Sequence, residues 1–269
     1  MAELQSLLES LRLVPDGAGR YRAANAEGTN SVVFGGQLLA QSIVAALASH
    51  DGKRLKTLHT VFARAAVPQH GLTIDVEEMH RGRAFASATV TISQEDRLCT
   101  RSLVLLTSDD EEVIRHADPA PPTSVPDPDA SDEGWIVRVV DDVDLRDPQA
   151  VGPADLGVWT RFAGAPDDPT VDTALVAYAT DPFLIGTAMR PHRGVGQSMA
   201  HVTLSTGVIS HTFTLHEPIR AGEWFLLSHH SPYAGHGRSY GRGDVFQRGR
   251  LVGSFVQDSM IRPMGGGRL

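Results

Sequence analysis

The chain lacks several features that would assign it to common classes of protein. Of its 269 residues one is a cysteine, Cys99, which excludes a disulfide framework and a cysteine-rich zinc site. No stretch of about 18 apolar residues is present, so we expect no membrane span. Basic residues number 24 against 32 acidic ones, and the net charge of −8 makes nucleic acid an unexpected partner.

The first twenty residues lack the basic and apolar regions of a secretion signal. A short amphipathic helix that ends near Pro15 and Gly17 is expected there instead. A lone cysteine also fits a reducing compartment, so we expect a cytoplasmic location. The composition, 41% hydrophobic and 21% charged, is that of a chain with a packed core.

An internal repeat is the most informative feature that is present. The dipeptide HT at 59–60 recurs at 211–212, an offset of 152 (211 − 59), and RLC at 97–99 faces RLV at 250–252. Each HT is followed by an apolar run, a proline, a glycine and a segment typical of a strand. The alternative is a chance alignment of two β-rich segments.

Each copy combines one helical stretch with several strands. Residues 85–92, 97–106 and 251–260 have the alternation of β-strands, and residues 34–50 have apolar positions at helical spacing. A second helix is expected within 172–189. The intervening Pro-rich acidic segment cannot pack a core. We therefore predict an α+β fold with halves at 1–107 and 135–269, joined by a linker at 108–134.

A long helix wrapped by an antiparallel sheet, used twice, is the tandem or double hot-dog architecture. The chain resembles the bacterial type II acyl-CoA thioesterases. The resemblance is carried by VFGGQLLAQSI at 33–43, AYATDPFL at 177–184, SHTFTLHEP at 210–218, GEWFLL at 222–227 and SFVQDSMIR at 254–262. It implies hydrolysis of fatty acyl-CoA to a fatty acid and CoA, with acyl-CoA as the partner and without a cofactor.

Asp181 is a carboxylate among small and apolar residues, directly before Pro182. Locally, Asp before Pro predicts the N-cap of a helical segment that starts at Pro182. The resemblance implies another role, in which this Asp orients the water that attacks the thioester. Its partners in the family are a Gln, which matches Gln257, and a hydroxyl on the strand after the Asp. The strand pattern leaves open whether Gln257 faces inward.

The hydroxyl position departs from the family, because it falls on Val208. Strict alternation would put Thr206, Val208 and Ser210 on one face of a strand. Thr206 or Ser210 is therefore the candidate hydroxyl of the site. Both are also ordinary strand residues, and the departure leaves open a non-catalytic or weakly active acyl-CoA-binding relative.

Gly35 and Gly36 open the first helix and are candidates for substrate binding, since two glycines let a ligand approach the backbone. Packing of the helix against the sheet explains them equally well. Gln37 is a further candidate, either as the counterpart of Gln257 or as a tie between the two helices.

Other motifs are less specific. Residues 237–241, GRSYG, fit the serine-hydrolase pattern G-x-S-x-G, but a glycine-rich segment follows where that motif needs a helix. Twelve histidines are present without H-E-x-x-H, so we expect no metal. Exposed sheet edges make a homo-oligomer plausible.

Overall fold

A twelve-stranded antiparallel sheet organises the part of the chain that the computed structural model describes, residues 3–28, 31–127 and 133–265. The strands follow the order β1-β2-β4-β5-β6-β3-β9-β12-β11-β10-β8-β7. Its helices and strands are α1 (Leu4–Ser10), β1 (Val14–Pro15), β2 (Arg20–Ala23), α2 (Gly35–Ala48), β3 (Arg54–Phe62), β4 (Leu72–Arg81), β5 (Phe85–Gln94), β6 (Arg97–Thr107), β7 (Gly134–Val139), β8 (Asp155–Ala163), α3 (Pro169–Ala179), α4 (Leu184–Met189), β9 (Leu204–Leu215), β10 (Phe225–Gly235), β11 (Arg238–Gln247) and β12 (Arg250–Pro263).

The two halves meet where β3 pairs with β9 at the centre of the sheet. His59 lies opposite Thr212 and Thr60 lies opposite His211 in this ladder. The predicted repeat is therefore present as two sheets fused edge to edge, and the two HT dipeptides lie on equivalent strands.

Gln94 and Gln247, at the ends of β5 and β11, fix the true register of the repeat. Gln94 accepts from the Val67 backbone N–H and donates to the Val67 carbonyl, and Gln247 makes the same two bonds with Arg220. The two glutamines are 153 positions apart (247 − 94), and so are their backbone partners (220 − 67).

The offset of 152 predicted from the HT dipeptides is therefore wrong by one residue, whereas the match of RLC at 97–99 with RLV at 250–252 has the offset of 153 (250 − 97). His211 is fully buried on the inner face of the sheet, towards the helices, whereas the half-buried His59 binds Thr212 on the outer face, with Nδ1 2.7 Å from Oγ1. Because successive strand residues point to opposite faces, a one-residue error exchanges the two faces. At the offset of 153, the counterpart of His211 is the buried Leu58.

The helices cover the inner face. Helix α2 contacts β3, β4, β5 and β6, helix α3 packs on α2, and α4 contacts β10, β11 and β12. Asp168 caps α3 by accepting from the backbone N–H of Thr170 and Val171, and Pro169 takes the first helical position. Every side chain from Asp172 to Ala179 is buried, and Tyr178 packs against Phe34, before α2, and against Trp135 of β7 and Phe162 of β8.

The break predicted within residues 172–189 is present, but the capping interpretation of Asp181 is wrong. Helix α3 ends at Ala179, and the next helix begins at Leu184 rather than at Pro182. Residues 181–183 form bends, and α4 has no side-chain cap. The Asp181 carboxylate makes its hydrogen bond elsewhere.

The segment between β6 and β7 has neither helix nor strand at its described positions, 108–127 and 133. It packs against the C-terminal half, since Arg115 forms an ion pair with Glu217 and Thr123 accepts from the Trp159 indole. Of the described helices, none is long and apolar enough to cross a membrane.

Candidate active site

Asp181 joins the C-terminal half to the start of helix α2. Its Oδ2 accepts from the Gly36 backbone N–H at 3.1 Å, across 145 positions of sequence. Gly36 is the second residue of α2, whose own N-cap residue, Phe34, provides no capping side chain. Asp181 therefore satisfies one of the free N–H groups that every helix start leaves. Its Oδ1 is buried and has no hydrogen-bond partner among the described residues.

Gly35 and Gly36 make this close approach possible. A Cβ at Gly35 would lie 3.0 Å from Asp181 Oδ2 and 3.3 Å from Phe62 Cε1. A Cβ at Gly36 would lie 2.6 Å from the Tyr178 carbonyl oxygen, so α2 could not pack this closely on α3. The two glycines therefore serve both helix packing and contact with the carboxylate.

The surroundings of Asp181 favour its protonated form. Desolvation raises its pKa from 3.8 to about 7, and the hydrogen bond from Gly36 opposes this only in part. The side chain is 4% exposed. A carboxyl with a pKa near neutral can exchange a proton with water under physiological conditions, as a general base must.

Gln257 faces inward, on the same face as Phe255 and Ser259, as the alternation of β12 allowed. Its Oε1 lies 3.1 Å from His211 Nδ1, and its Nε2 donates to Ser259 Oγ at 2.9 Å. His211 Nε2 lies 2.9 Å from the hydroxyl of Thr180, the residue before Asp181. A chain of buried hydrogen bonds thus leads from the end of α3 to Gln257 on β12.

His211 is neutral in this chain, because burial lowers its pKa to about 4. A neutral imidazole has one donor and one acceptor nitrogen. With the proton on Nδ1, His211 donates to Gln257 Oε1, and its Nε2 faces the Thr180 hydroxyl, whose one proton the Ala177 carbonyl at 2.7 Å also attracts. The Gln257 amide nitrogen then donates to Ser259, so the orientation of Gln257 depends on His211.

A β-bulge at Ile209 overturns the prediction that Thr206, Val208 and Ser210 share a face. Ser210 pairs with Asp258, but Val208 pairs with Ser259, so the β9 strand has one extra residue there. Ser210 therefore lies on the outer face, where its hydroxyl donates to Asp258 Oδ2 at 3.1 Å. Thr206 remains on the inner face and is buried.

Gln37 lies apart from this network, although it is buried in α2. Its Oε1 accepts from the Ala26 backbone N–H, and its Nε2 donates to Asn25 and to Gln41. These bonds tie α2 to the segment that precedes it, rather than to the other helix or to Asp181.

Three members of the network were not predicted from the sequence, namely Thr180, His211 and Ser259. Two of them adjoin predicted site residues, since Thr180 precedes Asp181 and Ser259 follows Gln257 by two positions. The signal for Ser259 was available, because i and i+2 share a face of a strand. The sequence marks His211 only as part of the repeated HT dipeptide.

One rival interpretation of the sequence finds no structural context. Ser239 of the G-x-S-x-G pattern lies inside β11 rather than at a strand-to-helix turn. No cluster of three or more His, Cys, Asp or Glu side chains within the described ranges has the geometry to hold a metal ion.

The fold and this buried site define a double hot-dog protein. A solved hot-dog protein from Alicyclobacillus acidocaldarius superposes with a TM-score of 0.71 over 96% of this chain and 98% of that chain, at 18% identity.

The chain belongs to the acyl-CoA thioesterase family and is a thioester hydrolase. The acyl-CoA thioesterase N-terminal domain matches residues 24–107, and the C-terminal domain matches residues 117–261. The chain is similar to acyl-CoA thioesterase II TesB2 of Mycobacterium marinum, at 26% identity and a TM-score of 0.81 over 98% of this chain and 100% of that one. It is also 26% identical to mouse acyl-coenzyme A thioesterase 8 over 266 residues, which covers 87% of this chain and 81% of the mouse protein.

Proposed function

We propose that the protein hydrolyses fatty acyl-CoA to a fatty acid and CoA, with Asp181 as the general base. The observation that supports this most directly is the state of the Asp181 carboxyl. One oxygen is bound by the Gly36 N–H, the other has no partner among the described residues, and the pKa of the group is raised to about 7. Such a group accepts a proton from a water and releases it again at neutral pH.

The reaction needs one water and forms no covalent bond between enzyme and substrate. The water oxygen attacks the thioester carbonyl carbon while Asp181 Oδ1 accepts a proton from that water. The tetrahedral intermediate then collapses, the C–S bond breaks, and the proton passes from Asp181 to the leaving sulfur. The acid product loses its own proton to solvent. A thioester is an activated acyl group, so positioning and proton transfer supply the acceleration that is needed.

Gln257 has the role of orienting the same water or the thioester carbonyl. Its carbonyl oxygen is held by His211, which leaves amide N–H groups for Ser259 and for the site. Thr206 remains a candidate hydroxyl on the inner face. The hydrogen-bonding of Ser210 to Asp258 on the outer face removes the basis for including it.

The decisive experiment compares Asp181→Asn with Asp258→Asn in thiol release from acyl-CoA substrates of several chain lengths. Asp258 is an exposed carboxylate on the opposite face of β12, so its variant controls for the loss of one negative charge. We expect turnover to collapse only in Asp181→Asn. Acyl-CoA binding without thiol release by the wild-type protein would instead support the alternative, a binding protein that lost its hydroxyl at Val208.

We also propose that the protein works in the cytoplasm as a homo-oligomer. Phe85 and Leu103 expose more than half of their side chains on the outer face of β5 and β6, at 54% and 52%. Leu105, 40% exposed, lies between them on the same face, and a contiguous exposed apolar patch is typical of an interface. Light scattering of the purified protein and fractionation of cells that express it test the two statements separately.

A further inference from the structure

A serine lies directly across the β9–β12 ladder from the position where the family resemblance places a hydroxyl. Ser259 is the cross-strand partner of Val208, and it is 1% exposed. Opposite residues of antiparallel strands have Cβ atoms about 4.5–5.5 Å apart and point to the same face. The hydroxyl is thus displaced by one strand, while it stays on the inner face and at the same level of the sheet.

The β-bulge at Ile209 creates this alignment. Gln257 pairs with His211 and Asp258 with Ser210, so a regular ladder would place Ser259 opposite residue 209. The extra residue instead brings Val208 into line with Ser259. Both side chains then point towards the helices, next to Gln257.

The hydroxyl of Ser259 contacts Gln257 directly, with Oγ 2.9 Å from Nε2. The amide of Gln257 is therefore held at both ends, by His211 on β9 and by Ser259 on its own strand. A glutamine held at one end can still rotate its amide about the last side-chain torsion, which has a broad energy minimum. The second anchor removes that freedom.

We propose that Ser259 is a positioning residue of the active site that replaces the hydroxyl missing from Val208. It acts by fixing the amide of Gln257, and the inference rests on the proposed function of that amide. With His211 protonated on Nδ1, Gln257 donates to Ser259, so the serine hydroxyl proton remains available to the site.

The test uses the full-length chain and thiol release from a series of saturated acyl-CoA substrates, from butyryl- to palmitoyl-CoA. We expect Ser259→Ala to lower kcat about tenfold, equivalent to about 1.4 kcal/mol, with KM unchanged. Ser239→Ala is the matched control, because Ser239 is the buried cross-strand neighbour of Ser259 on β11. It should retain wild-type kcat.

A rescue variant separates positioning from packing. Val208→Thr in the Ser259→Ala background restores a hydroxyl on β9 without refilling the space at residue 259. We expect the kcat of this double variant to lie within about threefold of wild type, a smaller loss than the tenfold change of Ser259→Ala alone. If Ser259→Ala does not fold, Ser259→Cys replaces it, since a thiol is a weak acceptor of similar size.

Unchanged kcat in Ser259→Ala, or a loss that Val208→Thr does not restore, would overturn the proposal for Ser259. Neither result affects the role of Asp181. Conversely, wild-type turnover in Asp181→Asn would overturn the proposed function, whatever the Ser259 variants show.

Discussion

The Asp181 carboxylate accepts a hydrogen bond from the backbone N–H of Gly36, in the other half of the chain. The site therefore depends on how α2 and α3 pack. Activity and stability can be measured separately on variants of these residues.

Replacement of Asp181 by Asn should abolish most activity and stabilise the fold. We expect turnover to fall by about 10²–10⁴-fold, the usual contribution of a general base. The Asn carbonyl can still accept from Gly36. Thiol release and thermal unfolding of the same preparation give both quantities, and a loss of activity that is matched by a loss of stability would contradict the assignment.

The stability effect should depend on pH. The pKa of Asp181 is about 7 in the folded protein and about 4 in an unfolded chain. Stability from this group is thus complete below pH about 4 and is lost as pH rises through 7. At about 1.4 kcal/mol per pKa unit the loss approaches roughly 4 kcal/mol at pH 8. Asp181→Asn should unfold at a higher temperature than wild type at pH 8, and the two should converge at pH 4.

Activity should rise with pH through about 7 and then remain constant, since Asp181 must be ionised to accept a proton. His211, with a pKa near 4, is neutral across that range and should add no second limb there. The measurement is kcat/KM against pH in buffers of constant ionic strength. The residual activity of Asp181→Asn should show no inflection near 7, and an unchanged profile would assign the titration to another group.

Gly35→Ala should disturb the carboxylate directly. The new Cβ would lie 3.0 and 3.2 Å from the two Asp181 oxygens, closer than ordinary contact allows. We expect activity to fall at least tenfold and stability to fall by about 1–3 kcal/mol, as overpacking usually costs. Gly28→Ala is the control, because a Cβ at Gly28 would have nothing within 4 Å. Equal activity in both variants would show that the carboxylate tolerates displacement.

Gln257→Ala should slow hydrolysis, and less than additively with Asp181→Asn, because both residues act on the same water. The double-mutant cycle in kcat/KM gives the coupling. Full additivity of the two losses would place Gln257 and Asp181 in separate roles.

Gln94→Ala and Gln247→Ala should reduce stability by similar amounts, about 1–3 kcal/mol each, because each leaves backbone groups without partners. The two glutamines share no contact, so their effects should add. Denaturant unfolding tests this, and kcat of either variant should remain that of the wild type.

The tandem architecture could be predicted from the sequence, because the repeat and the family motifs extend over most of the chain, whereas the roles of Asp181 and Gln257 stay predictions. The register at the HT dipeptides could not, although RLC at 97–99 and RLV at 250–252 have the correct offset of 153. The two HT dipeptides are identical and therefore suggest an equivalence that the structure does not have. Gln94 and Gln247 are truly equivalent, but this appears only when their backbone partners are known. The bulge at Ile209 was equally inaccessible, since an inserted strand residue leaves no mark on local alternation.

The partner of Asp181 was beyond local sequence for a different reason. An Asp before a proline has a sufficient local explanation as a helix cap, and the actual cap is made to a helix 145 positions away. Its N–H donor is a backbone group of a glycine, which has no side chain to indicate a role.

At the offset of 153, the two halves have different kinds of side chain at equivalent positions. The ladder position that His211 and Gln257 occupy between β9 and β12 belongs, in the first half, to Leu58 and Val104 between β3 and β6, and both are buried apolar residues. Ser259 corresponds in the same way to the buried Leu106. In the N-terminal half the equivalent positions therefore hold aliphatic side chains, and this half contacts the Asp181 carboxylate through the Gly36 backbone N–H. Fusion of two like units in one chain thus permits a division of labour that two identical subunits could not have, because every substitution in them would appear twice.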